Sequence, residues 1–416
     1  MADNGVAQLL THHKWIHATA RLVEAYRDLG ECHSAAEPMR LGWVTTWNAR
    51  CGIATYSEHL VTNFPEPVTI LANQEFDRLS DEQPNVVRCW RQSKHFGHLH
   101  HIVDEVVSKS LNAIVIQFNY AFFNHEELSE LIRNLDRRGI AIILMLHSTN
   151  DPVVELPGSE LFRIKNALAL ADRLLVHSVA DLNRLKAIGL VENVALFPHG
   201  ILLRPDDSPR IASASEQIIG TYGFALPHKG LIEVLHAVAL LRQRGRNVRL
   251  KMVNAEYPLD VSRNVVRQLK AEAARLKIES AVEFYNEFLT DEESLHHLRG
   301  TDLIVFAYQN TGESASGAVR YGLSAGRPVA VTPLAIFDDI GEAAFRFSET
   351  SIDAIANGLE TFLDEIGHQT APAVAINEKA RTWREQHDYV LLGKRLSNMA
   401  QALVQDRAIE RRTTVH

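Results

Sequence analysis

GESASGAVRYGLSAGRPV, residues 312–329, decides how the rest of the chain is read. A strand-like run, LIVFA at 303–307, comes just before it. Next come a carboxylate (Glu313), a cluster of small residues from Ser314 to Ala318, an apolar segment, Gly326 and a second strand-like run at 328–331. A strand followed by a polar loop and a helix start collects an anion: first-turn amides point outward and the macrodipole adds partial positive charge. Small residues let a phosphate or sugar approach the backbone. Glu313 does not suit the phosphate itself, but a carboxylate accepts hydrogen bonds from hydroxyls. An anion beside hydroxyls points to a nucleotide sugar.

Outward from this stretch, strand-like and helical runs alternate. Strands are expected at 41–46, 68–71, 113–116, 141–146, 173–176 and 194–197, then at 218–222, 248–253, 282–284, 303–307 and 328–331. Helical patterns lie between them, at 54–63, 101–110, 126–137, 179–187, 231–244, 261–276 and 294–298. Such alternation makes parallel sheets covered on both faces. The fold class expected is α/β, with two doubly wound Rossmann-like domains at 41–204 and 216–376 facing across a cleft. The polar, turn-rich segment 202–215 is the expected linker. Residues 1–40 are expected to form a helical extension and 377–416 a long helical tail.

Composition narrows the classes. The chain has 416 residues, 46% of them hydrophobic and 23% charged, as in an ordinary globular protein. No apolar run is long enough to span a membrane, and the first residues lack a signal-peptide pattern. Cys32, Cys51 and Cys89 are too scattered for a metal site or disulfide framework, which suits reduced thiols in the cytoplasm. A net charge of −8 argues against a nucleic-acid partner.

Several candidate groups fall just after strands, where doubly wound sheets bind ligands. Asn48 to Tyr56, with Gly52, is either a plain tight turn or a close approach for a phosphate or acceptor group. Gln117 to Phe123 offers Asn119 and Tyr120 for sugar contact, amides matching hydroxyl pairs and rings stacking on C–H faces, while its phenylalanines read as core. His147, at a strand end, either starts and caps a loop or donates to a sugar hydroxyl or handles a proton. Lys229, in GFALPHKG, is an exposed lysine or a cation for a leaving pyrophosphate, although the Walker spacing is absent. The loop 284–291, with Phe288 and Leu289, can hold a nucleobase against an apolar wall, and Thr290 with Glu293 reads as a capping box. No H-E-x-x-H, C-x-x-C or D-x-D occurs, and no strict G-x-G-x-x-G follows the first strand.

In order, CGIATYSEHL, LHSTND, LLVHS, FPHG, GFALPHKG, EFL and ESASGAVRYGLSAGRPV resemble a retaining GT-B glycosyltransferase of family 4, from about Leu41 to the tail. The resemblance implies transfer from a nucleoside-diphosphate sugar to an acceptor hydroxyl on a glycan, lipid-linked or polysaccharide acceptor. It implies no cofactor and no metal, and it favours a GDP-sugar, mannose in particular, over a UDP-sugar. The first domain would hold the acceptor and the second the donor, with the tail crossing back. Lys229 would bind the pyrophosphate, Glu313 the donor-sugar hydroxyls, and Ser316, Gly317 and Ala318 the phosphates through their amides. Gly52 would sit under the donor phosphate and His147 near the reaction centre. Phe288, Leu289 and Tyr321 would complete the donor site, with Asn119 and Tyr120 on the acceptor side. A cytoplasmic enzyme touching the inner face of a membrane is compatible with the family.

Two positions depart from the family. Tyr321 stands where the second glutamate of E-x7-E holds the ribose, and Phe224 replaces the arginine of its GR…KG motif. A sugar-nucleotide epimerase or an inactive binding scaffold on the same fold therefore remain as alternatives.

Overall fold

A computed structural model describes residues 37–75, 77–92, 99–152, 158–203 and 216–414, with side chains to 411. The chain divides into a large unit, Met39–Arg407, and a small one made of Met1–Pro38 with Ala408–His416. In the small unit Arg411 pairs with Glu37 at 3.1 Å. The expected helical extension lies outside the described residues apart from 37–40, and so does the expected linker apart from Leu202 and Leu203.

The large unit contains two all-parallel sheets. The first has seven strands: β1 (Leu41–Thr45), β2 (Val68–Asn73), β3 (Val86–Trp90), β4 (Ala113–Phe118), β5 (Ala141–Leu146), β6 (Arg173–Val176) and β7 (Val194–Leu196). Their order is β3-β2-β1-β4-β5-β6-β7. The second has β8 (Gln217–Phe224), β9 (Val248–Ala255), β10 (Val282–Tyr285), β11 (Leu303–Phe306), β12 (Val329–Val331) and β13 (Phe345–Arg346). Its order, β10-β9-β8-β11-β12-β13, repeats the same reversal. The strand order therefore reverses between β1 and β4 and again between β8 and β11, and ligands in such sheets bind at the carboxyl ends there.

The central strands are buried on both faces, so they read as continuous apolar runs. Every residue of β5, AIILML, is buried, and its register with β4 runs from Ala113 opposite Ala141 to Phe118 opposite Leu146. Among the described residues the helices of eight or more residues are α1 (Gly52–Thr62), α2 (His100–Ser108), α3 (His125–Asp136), α4 (Val179–Ala187), α5 (Leu231–Gln243), α6 (Asp260–Arg275), α7 (Asp291–Arg299), α8 (Gly317–Ser324), α9 (Ile352–Gly367), α10 (Ala371–Gln386) and α11 (Tyr389–Thr414). The capping box at Thr290 and Glu293 opens α7. No helix among the described residues is long and apolar enough to cross a membrane.

The tail is two helices rather than the single expected stretch. The break at His387 and Asp388 has a partner: the Ile201 amide donates to His387 O (2.9 Å) and the Tyr389 amide to Ile201 O (3.1 Å). Beyond the break, Leu392, Leu396, Ala400, Leu403 and Val404 recur at helical spacing and bury against Trp43, Tyr56, Leu60, Phe64 and Val68 of the first half. Each leucine contributes about 2 kcal/mol. Gly393 permits the approach, since a Cβ there would lie 2.4 Å from Asn63 O. Arg407 then pairs with Asp172 and Asp136, each at 2.9 Å.

Candidate active site

In the second half, β8 delivers the chain into a turn, Pro227–Lys229, that ends at Gly230. Gly230 has φ +68°, and a Cβ there would come 1.7 Å from Ala307 O. Only glycine fits that close approach, so Lys229 is pressed against the exit of β11. Lys229 is 9% exposed. Nζ lies 3.3 Å from Glu313 Oε2 and 4.1 Å from the centre of the Tyr308 ring. Burial pushes the ammonium down, but Tyr308 and Glu313 together outweigh it and hold the pKa above its usual value. Glu313 is 49% exposed, with His228 Nε2 4.0 Å from its other oxygen.

The loop after Glu313 runs into α8. Ser316 caps that helix, its Oγ accepting from the Val319 amide at 3.3 Å and lying 2.9 Å from the Tyr308 hydroxyl. Helix geometry leaves the Gly317 and Ala318 amides without intrahelical acceptors. Beneath them Arg320, 3% exposed, donates from Nη1 to Ser316 O (2.9 Å), pairs with Asp339 and lies over Trp383. Burial lowers its pKa to about 10, so it stays cationic at neutral pH. Ser314 Oγ is buried and has no hydrogen-bond partner among the described residues. Buried hydroxyls are normally satisfied, so this one suits a ligand.

The first half supplies a different wall. His147, His177 and His199 follow the carboxyl ends of the adjacent strands β5, β6 and β7, and all three rings pack around Tyr56 at 5.0, 5.5 and 4.7 Å. His177 Nδ1 donates to Phe197 O (3.0 Å), so its Nε2 must accept from His147 Nδ1, 3.3 Å away. A neutral His147 then has a bare Nε2, 2.7 Å from the Gln117 carboxamide, whose NH2 must turn toward it. Burial pushes all three imidazoles down, His177 to about 4. His199 Nε2 lies 3.8 Å from where a Cβ of Gly317 would be, so this wall faces the start of α8.

The other expected residues are placed as follows. Gly52 opens α1 with free space where a Cβ would stand, behind a Cys51 that makes no side-chain cap. Phe288 stacks on Phe224 at 5.8 Å, and Phe224 meets Tyr257 edge-on at 5.0 Å, which makes an apolar wall. Leu289 follows, half-buried. Tyr321 stacks on Tyr222 at 4.6 Å and donates to Asp291, which also binds His59 Nε2 at 2.8 Å. Asn119 closes a local turn, accepting from the Ala121 amide at 3.0 Å. Tyr120 is buried and its hydroxyl donates to Asp151 at 2.7 Å. Burial, then Asp151, pushes that phenol up. The structure therefore brings Lys229, Glu313, Ser316, Gly317 and Ala318 together, while the contacts of Asn119 and Tyr120 described here stay within the first half. No role follows from the sequence for His177, His199, Arg320 or Asp291. The repeated His after successive strands, in LHS, VHS and PHG, was the available signal for the first two.

No family model matches this sequence, and no curated protein matches it by sequence. Solved structures do match by fold. HepE of Anabaena in complex with UDP-glucose superposes with a TM-score of 0.66 at 15% identity, over 88% of this chain and 100% of that one. Sucrose-phosphate synthase from Thermosynechococcus elongatus gives 0.66 at 12%, over 88% and 99%. The UDP-forming α,α-trehalose-phosphate synthase from Burkholderia xenovorans, in complex with glucose-6-phosphate, gives 0.65 at 13%, over 87% and 100%. At these identities the likeness establishes the fold: two doubly wound parallel sheets in the GT-B arrangement.

Proposed function

We propose that this chain transfers a sugar from a nucleoside-diphosphate sugar to an acceptor hydroxyl, with retained configuration. The observation that carries the reading is the Lys229–Glu313 pair at the start of α8, a cation and amides beside a half-exposed carboxylate. Lys229 and the Gly317 and Ala318 amides would take the pyrophosphate, with Ser316 holding the helix start, while Glu313 would accept from donor-sugar hydroxyls. Gly52, at the open start of α1, would face the phosphate. Phe288 and Leu289 would form the apolar wall against the base, with Tyr321 on the ribose side. His147, with Asn119 and Tyr120 nearby in the chain's first half, would serve the sugar and acceptor.

As the bond from the anomeric carbon to the phosphate oxygen breaks, charge grows on the nucleoside diphosphate. Lys229 and the α8 amides stabilise it there, so the scheme needs no metal. The acceptor oxygen attacks from the same face and its proton passes to the departing phosphate oxygen. Retention rests on the motif resemblance. The same resemblance favours guanine as the base, whereas HepE carries UDP-glucose.

The test is a thermal-shift panel of UDP-, GDP-, ADP- and dTDP-sugars with the free nucleotides, since a ligand of the folded state raises stability with ln(1 + [L]/Kd). One base should shift the wild type and fail to shift Lys229→Ala. No shift with any donor overturns the reading. A changed sugar nucleotide without acceptor would replace it with an epimerase.

A further inference from the structure

Between the last residue of β11 and the first of α8 lies the loop 307–316, which carries Glu313. Its middle has few local anchors. The Glu313 amide donates to Thr311 Oγ1 at 3.1 Å, while Gln309 is tied to His228 O, Ala307 O and Thr350 O at the loop's start. Within its own half the Glu313 side chain meets Lys229 at 3.3 Å, and the backbone beside it is held from the other sheet. Ser148 Oγ donates to Gly312 O at 3.0 Å, and Asn150 Nδ2 donates to the same oxygen at 3.1 Å. A carbonyl has two lone pairs, and here both are taken by donors more than 160 residues away in sequence.

The platform beneath these donors is rigid. Ser148 and Asn150 both reach Gly312 O, while Thr149 between them turns to Asp181. Thr149 is buried, and its hydroxyl donates to Asp181 Oδ1 at 2.5 Å. Asp181 is fully buried and is also bound by Ser178 Oγ and by Arg184 Nη2, the latter at 2.6 Å. Arg184 Nε closes the ring on Thr149 Oγ1 at 2.8 Å. A carboxylate with this many donors is held firmly.

We propose that Ser148 and Asn150 are positioning residues that set Glu313 by gripping the carbonyl of the residue before it. The grip exists only while the two sheets face each other as they do here, so the placement of Glu313 depends on how the two halves meet. The consequence for turnover rests on the transferase reading; the consequence for loop order does not.

The test uses the full chain. In Ser148→Ala/Asn150→Ala, hydrogen exchange of amides 310–316 should rise roughly tenfold, as for the loss of one to two hydrogen bonds, with β8 and β11 unchanged. Asn150→Ala alone should give a smaller rise, and Ser148→Thr, which keeps a hydroxyl, should stay near wild type. If a nucleotide sugar is turned over, kcat should fall about tenfold in the double variant with donor KM altered less than about twofold. Unchanged exchange at 310–316, or a rise spread over both sheets, overturns the proposal. If the wild type turns over no donor, the transferase reading fails, and the exchange result still decides whether these side chains hold the loop.

Discussion

Around the start of α8 the second half of the chain concentrates full charges: Lys229 with Glu313, and Arg320 with Asp339. Facing it, the first half offers three imidazoles and a phenol, His147, His177, His199 and Tyr56, with the imidazoles held neutral by burial. Buried charge survives only in pairs, because an unpaired one has no return for its lost hydration. A neutral imidazole costs far less to bury and can still give and accept a hydrogen bond. One wall thus suits an anion and the other suits hydroxyls. Each wall should break in its own way: the first by losing a partner charge, the second by gaining one.

The largest effect is expected at Asp339. Asp339→Ala leaves Arg320 charged and 3% exposed beneath Ser316. Chemical denaturation should show a loss of about 4 kcal/mol. Retention of wild-type stability would mean that Arg320 is neutralised by something other than this pair. The pair Arg320→Met/Asp339→Leu should recover much of the loss, since apolar replacement of a buried ion pair is often neutral.

Next comes Lys229→Ala, at the half-open end of the same wall. Glu313 is 49% exposed and can rehydrate, so stability should change little. Turnover, by contrast, should fall by about 10²- to 10³-fold if the lysine meets charge that develops on the leaving group. A chelator should leave the wild-type rate unchanged. Asp339→Ala and Lys229→Ala therefore separate charge that holds the fold from charge that serves a ligand.

The neutral wall should respond to acid. His177 has a folded pKa of about 4 against about 6.5 when unfolded. Between these values the unfolded chain carries the proton and the folded chain does not, so stability rises with pH across that window. It is complete above about pH 6.5 and is lost as the pH falls toward 4, about 3 kcal/mol from this residue. His147 and His199 shift in the same direction. Denaturation midpoints from pH 7 to 4 should therefore fall, and His177→Gln should flatten the slope. An unchanged slope would place the acid sensitivity elsewhere.

The contrast between the walls also explains what sequence could reveal. Strands 141–146 and 173–176 and helix 179–187 agree with β5, β6 and α4 residue for residue, because apolar runs between turn signals determine them. β3 was missed: it lies at a sheet edge, its first three residues are half-buried, and Arg88 in its middle donates to Glu82 and Asn73 O. β13, two residues long, carries no pattern at all. Lys229 and Glu313 stand out because each is a charge in the loop between a strand and the next helix, where it is locally conspicuous. His177 and His199 did not, in a chain with twenty histidines. The bond between His59 and Asp291 joins residues 232 apart, and no local spacing encodes it.

Tyr321 gives the smallest expected effect and the finest test. Its hydroxyl donates to Asp291, whose other oxygen binds His59 from the opposite wall. Its ring stays stacked on Tyr222 whether or not the hydroxyl is present. Tyr321→Phe removes one charge-assisted hydrogen bond and keeps the packing, so stability should drop by only about 1 to 2 kcal/mol. Asp291 would keep His59 as a partner, which limits the loss. If Tyr321 serves only this tie between the walls, nucleotide affinity in a titration should stay within about twofold of wild type. A tenfold weaker affinity at similar stability would instead put the hydroxyl on the nucleotide, in the place of the glutamate that the motif lacks.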